Sequence, residues 1–461
     1  MRYAIIGAGL AGLVTATEIR RADADAAIDV FEAEDRIGGK LFTVPFASGP
    51  TDMGAEAYLA FRSDATDYFE GLGLGELLRY PSDLRSLVYS GGQTRALPAV
   101  GVMGIPSSSE PIAHLVSAET ASRIDAEGDQ DSITWPVGGD LNLGALIRER
   151  YGDEVVDRVV SSLLGGVYSC LADDLGVRAT VPQLALAFDA LAEAGEKVTL
   201  SGAVARVESQ RPARSGDPKP VFASFDGGYA VVYEALAEAS GADIHLDAFV
   251  SGVTRGVGGF TITGAGEGTY DRVVFATPAP TTAMLLRSLS PEASAALKSI
   301  KLASSVVVGM KFDSAEGLPD NSGVLVAADE PGVRAKAFTL SSKKWPHLSE
   351  RGGAFVRASF GRFGDDEIVR ADEDDLVDWA LDDLQTVTGF DGREAGLAEI
   401  YVQRWFGGLP RYDETHLATV QAVRSELASV PGVEVTGAWA GGVGVPAVIA
   451  DARATVARLL G

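Results

Sequence analysis

Cysteine is nearly absent: Cys170 is alone among 461 residues. An intrachain disulfide is therefore excluded, and a thiolate metal cluster lacks its ligands. Histidine is almost as scarce. His114, His245, His347 and His416 are scattered, with no HExxH or paired spacing, so no metal site is expected. No apolar run reaches the roughly 18 residues that a membrane-spanning helix needs. The N-terminus enters a strand rather than a signal peptide, which makes the cytoplasm the default expectation. Positive charge is also in short supply. With 39 Lys and Arg against 64 Asp and Glu, the formal net charge is −25. Nonspecific binding to DNA, RNA or anionic lipid needs a basic face, so those classes are set aside.

What the chain does have is glycine and apolar residues, 54 and 46% respectively. At roughly 150 residues per domain, its length suggests about three domains or one large interrupted unit, with enough core to fold without staples. The acidic excess is partly local. The run DDEIVRADEDDLVDWALDD from Asp365 to Asp383 reads as a solvated helix face rather than a binding surface.

The N-terminus reads as a βαβ opening. RYAII (2–6) is a short apolar strand, a glycine-rich turn follows, Leu10–Arg21 has helical spacing, and AIDVF (27–31) is a second strand. Residues 87–206 are richer in helical patterns, with stripes at 141–151, 153–164 and 181–195. The breakers in 201–220 predict an exposed loop. A helix over 230–240 and strands near 243–247 and 258–263 follow, and DRVVFAT (271–277) reads as a buried parallel strand. Residues 303–312, 323–327 and 354–360 suggest a second, more antiparallel sheet. A strand at 433–436, a glycine-rich turn and a helix from 447 close the chain. Rossmann-like pieces thus sit at the start, middle and end, with other segments inserted between them.

Between the first strand and its helix lies Gly7-Ala8-Gly9-Leu10-Ala11-Gly12. The first glycine permits the tight turn, the second lets a pyrophosphate approach the backbone, and the third lets helix and strand pack closely. The helix N-terminus offers N–H groups to the phosphates. Glu32, twenty residues past Gly12, ends the second strand, where its carboxylate can accept ribose hydroxyls. A packing turn alone would account for the glycines but not for Glu32. Two further glycine segments separate FAD from NAD. Arg36-Ile37-Gly38-Gly39-Lys40 follows the ribose carboxylate directly, and Gly442-Val443-Gly444-Val445-Pro446 opens the last helix. A nicotinamide enzyme does not need that last segment, so the joint pattern points to FAD.

The first two segments, with Gly54-Ala55-Glu56-Ala57, resemble the amine oxidase flavoprotein superfamily. Within it the chain resembles the oxygen-dependent porphyrinogen oxidases of haem synthesis, through GIPSS (104–108), SSLLGGVYS (161–169), DGGY (226–229), SSKKWPH (341–347), RWFGGLPRY (404–412) and GVGVPA (442–447). The resemblance is strongest to the actinobacterial and Gram-positive branch, whose members act on coproporphyrinogen III. It implies an α/β fold: a Rossmann-like FAD-binding domain of discontinuous segments (1–42, 222–285 and 420–461), an α+β substrate domain (43–86, 207–221 and 286–419) and a helical insert (87–206). It carries flavin contacts onto residues 7–12, Glu32, Ala33, Lys40, Gly54, Ala55, Glu56, Ala57, Val250, Ala438, Val443, Gly444 and Val445. Val250 closes the strand-like run HLDAFV, where its N–H and C=O could meet the adenine.

The implied chemistry removes six electrons from the porphyrinogen in three two-electron steps, with hydride passing to flavin and O₂ becoming H₂O₂. The cofactor carries that chemistry while the protein orients and tunes it, so no catalytic side chain is assigned. Four propionates on the substrate call for cationic partners. Arg62 is the leading candidate, with Lys343, Lys344 and Arg404 behind it; a surface ion pair is the competing role for each. Tyr168 and Trp345 could pack on a macrocycle face, although core packing explains either one alone. Other readings stay open: a protoporphyrinogen IX oxidase, another flavin amine oxidase or desaturase, and a binding protein resembling GDP-dissociation inhibitor. No basic amphipathic helix marks the insert for peripheral membrane contact, so a soluble lid or channel wall is the favoured role there.

Overall fold

A computed structural model describes residues 1–211, 220–266 and 268–461 of the chain, which divides into two compact units. One comprises Met1–Tyr80, Lys219–Lys301 and Ala418–Gly461, the other Pro81–Pro218 and Leu302–Leu417. Both mix helices with sheet, as the α/β reading expects.

The first unit is built on a five-stranded parallel sheet. Its central strand Arg2–Ile6 pairs with Ala27–Phe31 on one side and Arg272–Phe275 on the other; Asp243–His245 and Val433–Val435 form the edges. Strands covered on both faces need near-continuous apolar runs, which RYAII, AIDVF and RVVF provide. The helix Leu10–Ala22 makes the first crossover and buries Leu13, Val14, Ala16 and Ile19 in one core with helices Ala230–Ser240 and Val445–Leu460. Arg20 and Arg21 in its last turn complement the helix dipole. The opposite sheet face is covered by the hairpin Gly252–Gly256/Gly259–Thr263 and by helices Ala279–Leu286 and Pro291–Leu297.

The second unit holds a seven-stranded, mostly antiparallel sheet, in the order Leu397–Pro410, Leu302–Phe312, Ala354–Phe360, Ala337–Thr339, Gly323–Val326, Ser86–Ser90 and Gln93–Ala96. Even-numbered residues of the second and third strands, Val306 to Phe312 and Ala354 to Phe360, point into a core shared with the helix Glu373–Thr388. That helix carries most of the acidic run. Glu373, Asp374 and Asp375 sit favourably in its first turn. Asp383 departs from the solvated face expected of it: it is buried and accepts the Arg334 and Ala335 N–H groups at 2.8 and 2.7 Å. The helical part of the unit includes a continuous path from Asp153 to Tyr168, whose middle turn Val156–Val160 is π-helical. No helix of the described residues is long and apolar enough to cross a membrane.

Three local expectations need correction. The loop expected from 201 is a helix, Leu200–Ser209: the Thr199 hydroxyl caps it by accepting the Gly202 N–H, and Leu200, Ala203 and Val204 are buried. Residues 212–219 of that loop lie outside the described residues. The strand expected near 243–247 stops at His245, and the strand-like run that closes on Val250 is not strand, because Asp247 adopts a left-handed φ of 51°. The C-terminal glycine stretch contains a short helix, Ala438–Gly441, and the last helix starts at Val445 rather than 447.

Candidate active site

The glycine turn and the second strand meet through Glu32. One carboxylate oxygen accepts the Ala8 N–H at 2.8 Å and the other accepts the Glu34 N–H at 3.0 Å. A carboxylate offers about four lone-pair positions, so acceptor capacity for ribose hydroxyls remains. Gly7 has φ 106°, a conformation that L side chains rarely adopt, and a Cβ on Gly12 would stand 1.9 Å from the Gly7 carbonyl oxygen. The turn and the helix therefore touch backbone to backbone, as a phosphate cradle requires. The first helical bond runs from the Leu13 N–H to the Gly9 C=O, which leaves the N–H groups of the first turn outside the helix's own ladder. Gly38 donates to the Ala8 carbonyl at 2.9 Å, placing the 38–39 glycine pair beside the turn.

Lys40 closes this corner. Its carbonyl accepts the Ala55 N–H at 3.2 Å, binding the 54–57 segment to it. Burial pushes its amine down to about 8. No hydrogen bond or ion pair to that amine falls among the described residues. The Ser224 hydroxyl fixes Glu56 by donating to its carbonyl at 2.7 Å, while Ala33 stays exposed. Val250 is buried next to Phe31, with Asp247 and Ala248 donating to the Glu34 and Glu32 carbonyls on either side of Ala33. The loop thus lies against the end of the second strand.

At the C-terminal glycine segment, the indole N–H of Trp439 donates to the Thr277 carbonyl at 3.0 Å. Thr436 Oγ1 donates to Asp451 at 2.8 Å, and Arg424 pairs with the other oxygen of the same carboxylate. Ala438 and Val443 are half-buried, Gly444 is exposed, and Val445 begins the last helix. Neither this helix nor Leu10–Ala22 has an acidic residue in its first turn, so no carboxylate of its own first turn competes with an anionic group at either N-terminus. These features fit an extended dinucleotide such as FAD.

The substrate candidates divide between the units. In the first, Arg62 is paired with Asp64 through two hydrogen bonds of 3.1 and 2.9 Å, and 43% of its side chain is exposed. The surface ion pair that competes with the substrate role is thus present, with a partner two residues downstream. In the second, Lys343 is paired with Asp320, Lys344 lies 5.0 Å from the Trp345 ring centroid, and Trp345 is wholly buried. Arg404 donates to the Val369 carbonyl at 3.0 Å. Tyr168 ends its helix with its ring 5.8 Å from that of Tyr412, and burial pushes its hydroxyl up to about 12. Sequence reasoning missed Lys336, whose amine donates to the hydroxyl of the next residue, Ser169, and also Arg362 and Arg411. The GRFG turn (361–364) directly after a strand was the available signal for Arg362.

Residues 10–460 match the model of the flavin-containing amine oxidoreductases. The chain belongs to this family. It is a flavin-dependent oxidoreductase, and its cofactor is FAD. The coproporphyrinogen III oxidase of Mycobacterium tuberculosis is 38% identical over 462 residues, covering 99% of this chain and 97% of the relative. The enzyme of that name from Bacillus subtilis is 26% identical over 465 residues, covering 99% and 97%. Among solved structures, an Exiguobacterium sp. 255-15 protein with a provisional protoporphyrinogen oxidase name superposes at a TM-score of 0.84, with 27% identity over 99% of this chain and 98% of its own. Cyclohexylamine oxidase from Brevibacterium oxydans shares the fold at a TM-score of 0.67, with 17% identity over 100% and 99% of the two chains.

Proposed function

We propose that this flavoenzyme oxidises coproporphyrinogen III to coproporphyrin III in haem biosynthesis, with the cytoplasm as its compartment. The observation that carries the reading is the 38% identity to a coproporphyrinogen III oxidase over 99% of this chain and 97% of the relative. Held by the residues below, FAD would supply the hydride-accepting chemistry for three two-electron oxidations, with O₂ as the final acceptor and H₂O₂ as its product.

The chain's own residues bind and orient. The N-terminus of the first helix and the 7–12 turn receive the pyrophosphate, Glu32 accepts from the ribose, and the Val250 backbone meets the adenine. Lys40 and the 54–57 segment line the flavin side, with Ala33 flanking Glu32. Ala438 and the 443–445 opening of the last helix offer N–H groups to the flavin's electron-rich edge. For the substrate, Arg62 is available to a propionate only by giving up Asp64. That exchange costs little, because an exposed ion pair is worth about 0–1 kcal/mol.

Lys40 gives the cofactor assignment a pH signature. With its amine near 8 before FAD arrives, an anionic neighbour favours the protonated form, so FAD binding takes up a proton above that pH. Fluorescence titration of the apoprotein should show affinity falling by up to about tenfold per pH unit above 8. Lys40→Met should remove the dependence; an unchanged profile would detach Lys40 from the flavin. The substrate assignment is tested by O₂ uptake with coproporphyrinogen III and protoporphyrinogen IX side by side. The four-propionate substrate should have the higher kcat/KM, and a preference for the two-propionate one would place the chain with the protoporphyrinogen oxidases.

A further inference from the structure

We propose that Arg362 and Lys336 form a buried subsite for a carboxylate carried on an aromatic or macrocyclic ring, one propionate of the substrate under the reading above. Lys336 is 4% exposed. Its amine donates to the Ser169 hydroxyl at 2.7 Å and the Gly361 carbonyl at 2.6 Å, leaving one N–H unspent. Arg362, next to that carbonyl, has a buried Nε without a hydrogen-bond partner. Among the described residues its guanidinium makes no hydrogen bond and no ion pair.

A lysine tying a helix end to a turn has a structural explanation by itself. A half-buried guanidinium beside a buried ammonium, with no ion-paired carboxylate for either among the described residues, does not, because desolvation and mutual repulsion both act against them. Burial first, and Arg362 second, push the Lys336 amine down to about 7; Asp365 and Cys170 act the other way. Asp365 moderates both cations from a distance, but it forms no ion pair with either among the described residues, and burial raises its own carboxyl. The guanidinium fork is suited to two parallel hydrogen bonds to one carboxylate.

The ring component of the ligand follows from the neighbours. Ser169, the lysine's partner, follows Tyr168 and is held at a left-handed φ of 51°, which is uncommon outside glycine. Tyr168, its neighbour in the chain, has its ring 5.8 Å from that of Tyr412, which follows Arg411. Arg411 extends the basic wall, but it is already paired with Asp413 and lies 4.7 Å over Phe363. Arg362 is therefore the unspent charge, and Lys336 supports it.

The test measures binding of coproporphyrin III, the free tetracarboxylate, and of its tetramethyl ester to wild type, Arg362→Gln and Arg362→Lys by fluorescence. FAD content and thermal midpoint serve as controls for folding. Arg362→Gln should weaken binding of the free acid by about tenfold or more, the usual effect of losing a hydrogen-bonded charge, with ester affinity unchanged. Arg362→Lys should recover part of the loss, and KM should rise more than kcat falls. Equal losses for acid and ester, or no loss for either, would overturn the subsite while leaving the enzyme's function intact. A wild-type protein that takes up no porphyrin would instead overturn the substrate reading, and the subsite with it.

Discussion

Gly12→Ala should yield a protein purified with little or no FAD. The added Cβ would lie 1.9 Å from the Gly7 carbonyl oxygen, 3.1 Å from its carbon and 3.3 Å from the Ala276 Cβ. The first two obstacles are backbone, so no side chain can rotate away. The first helix must lift off the sheet, and the glycine turn must move with it. Overpacking of this kind costs about 1–3 kcal/mol in a core. Each 1.4 kcal/mol passed on to binding lowers FAD affinity about tenfold. The flavin-to-protein absorbance ratio measures the outcome, and Gly128→Ala is the control because a Cβ there meets nothing within 4 Å. Full FAD occupancy in the Gly12 variant would remove the turn from the cofactor site.

Asp451→Ala has the next largest expected effect, on stability as well as cofactor retention. Asp451 is 8% exposed and satisfies the buried Thr436 hydroxyl and the half-buried Arg424 guanidinium at once. Removing one partner of such a pair leaves an uncompensated charge and costs about 3 kcal/mol. Thr436 precedes the Gly437–Gly444 segment, and Arg424 also donates to the Ala440 carbonyl at 3.2 Å, so the loss loosens the backbone that opens the last helix. Urea unfolding should shift to lower concentration, with FAD released before the second unit melts. Asp451→Asn keeps the hydrogen-bonding shape without the charge and should fall between the two. A midpoint indistinguishable from wild type would show that the network is dispensable.

The parts of this architecture that were legible in the sequence are those specified locally. The apolar runs of the parallel strands, the glycine spacing at 7–12 and Glu32 at a strand end each depend on neighbours close in the chain. The second sheet was visible for the same reason. Val250 illustrates the opposite case: its run is strand-like in composition, yet one left-handed residue, Asp247, turns it into a loop pinned by carbonyls more than two hundred residues away. The helix Leu200–Ser209 was hidden by the breakers that follow it, and the short helix Ala438–Gly441 by the glycines around it. For Arg62 both roles were legible, and the surface ion pair, to Asp64 two residues on, is the one the folded chain forms. The GRFG turn offered a signal for Arg362, but nothing local in the chain ties it to Lys336. Only the packed chain brings the two cations together with no ion-paired acid for either among the described residues.

The central claim, oxidation of coproporphyrinogen III at the bound flavin, is tested most directly by mixing the holoenzyme with that substrate under anaerobic conditions and following the flavin's visible absorbance. The absorbance should be lost on mixing and return when O₂ is admitted, with coproporphyrin III fluorescence growing over successive cycles. Flavin that stays oxidised in the presence of excess coproporphyrinogen III would contradict it.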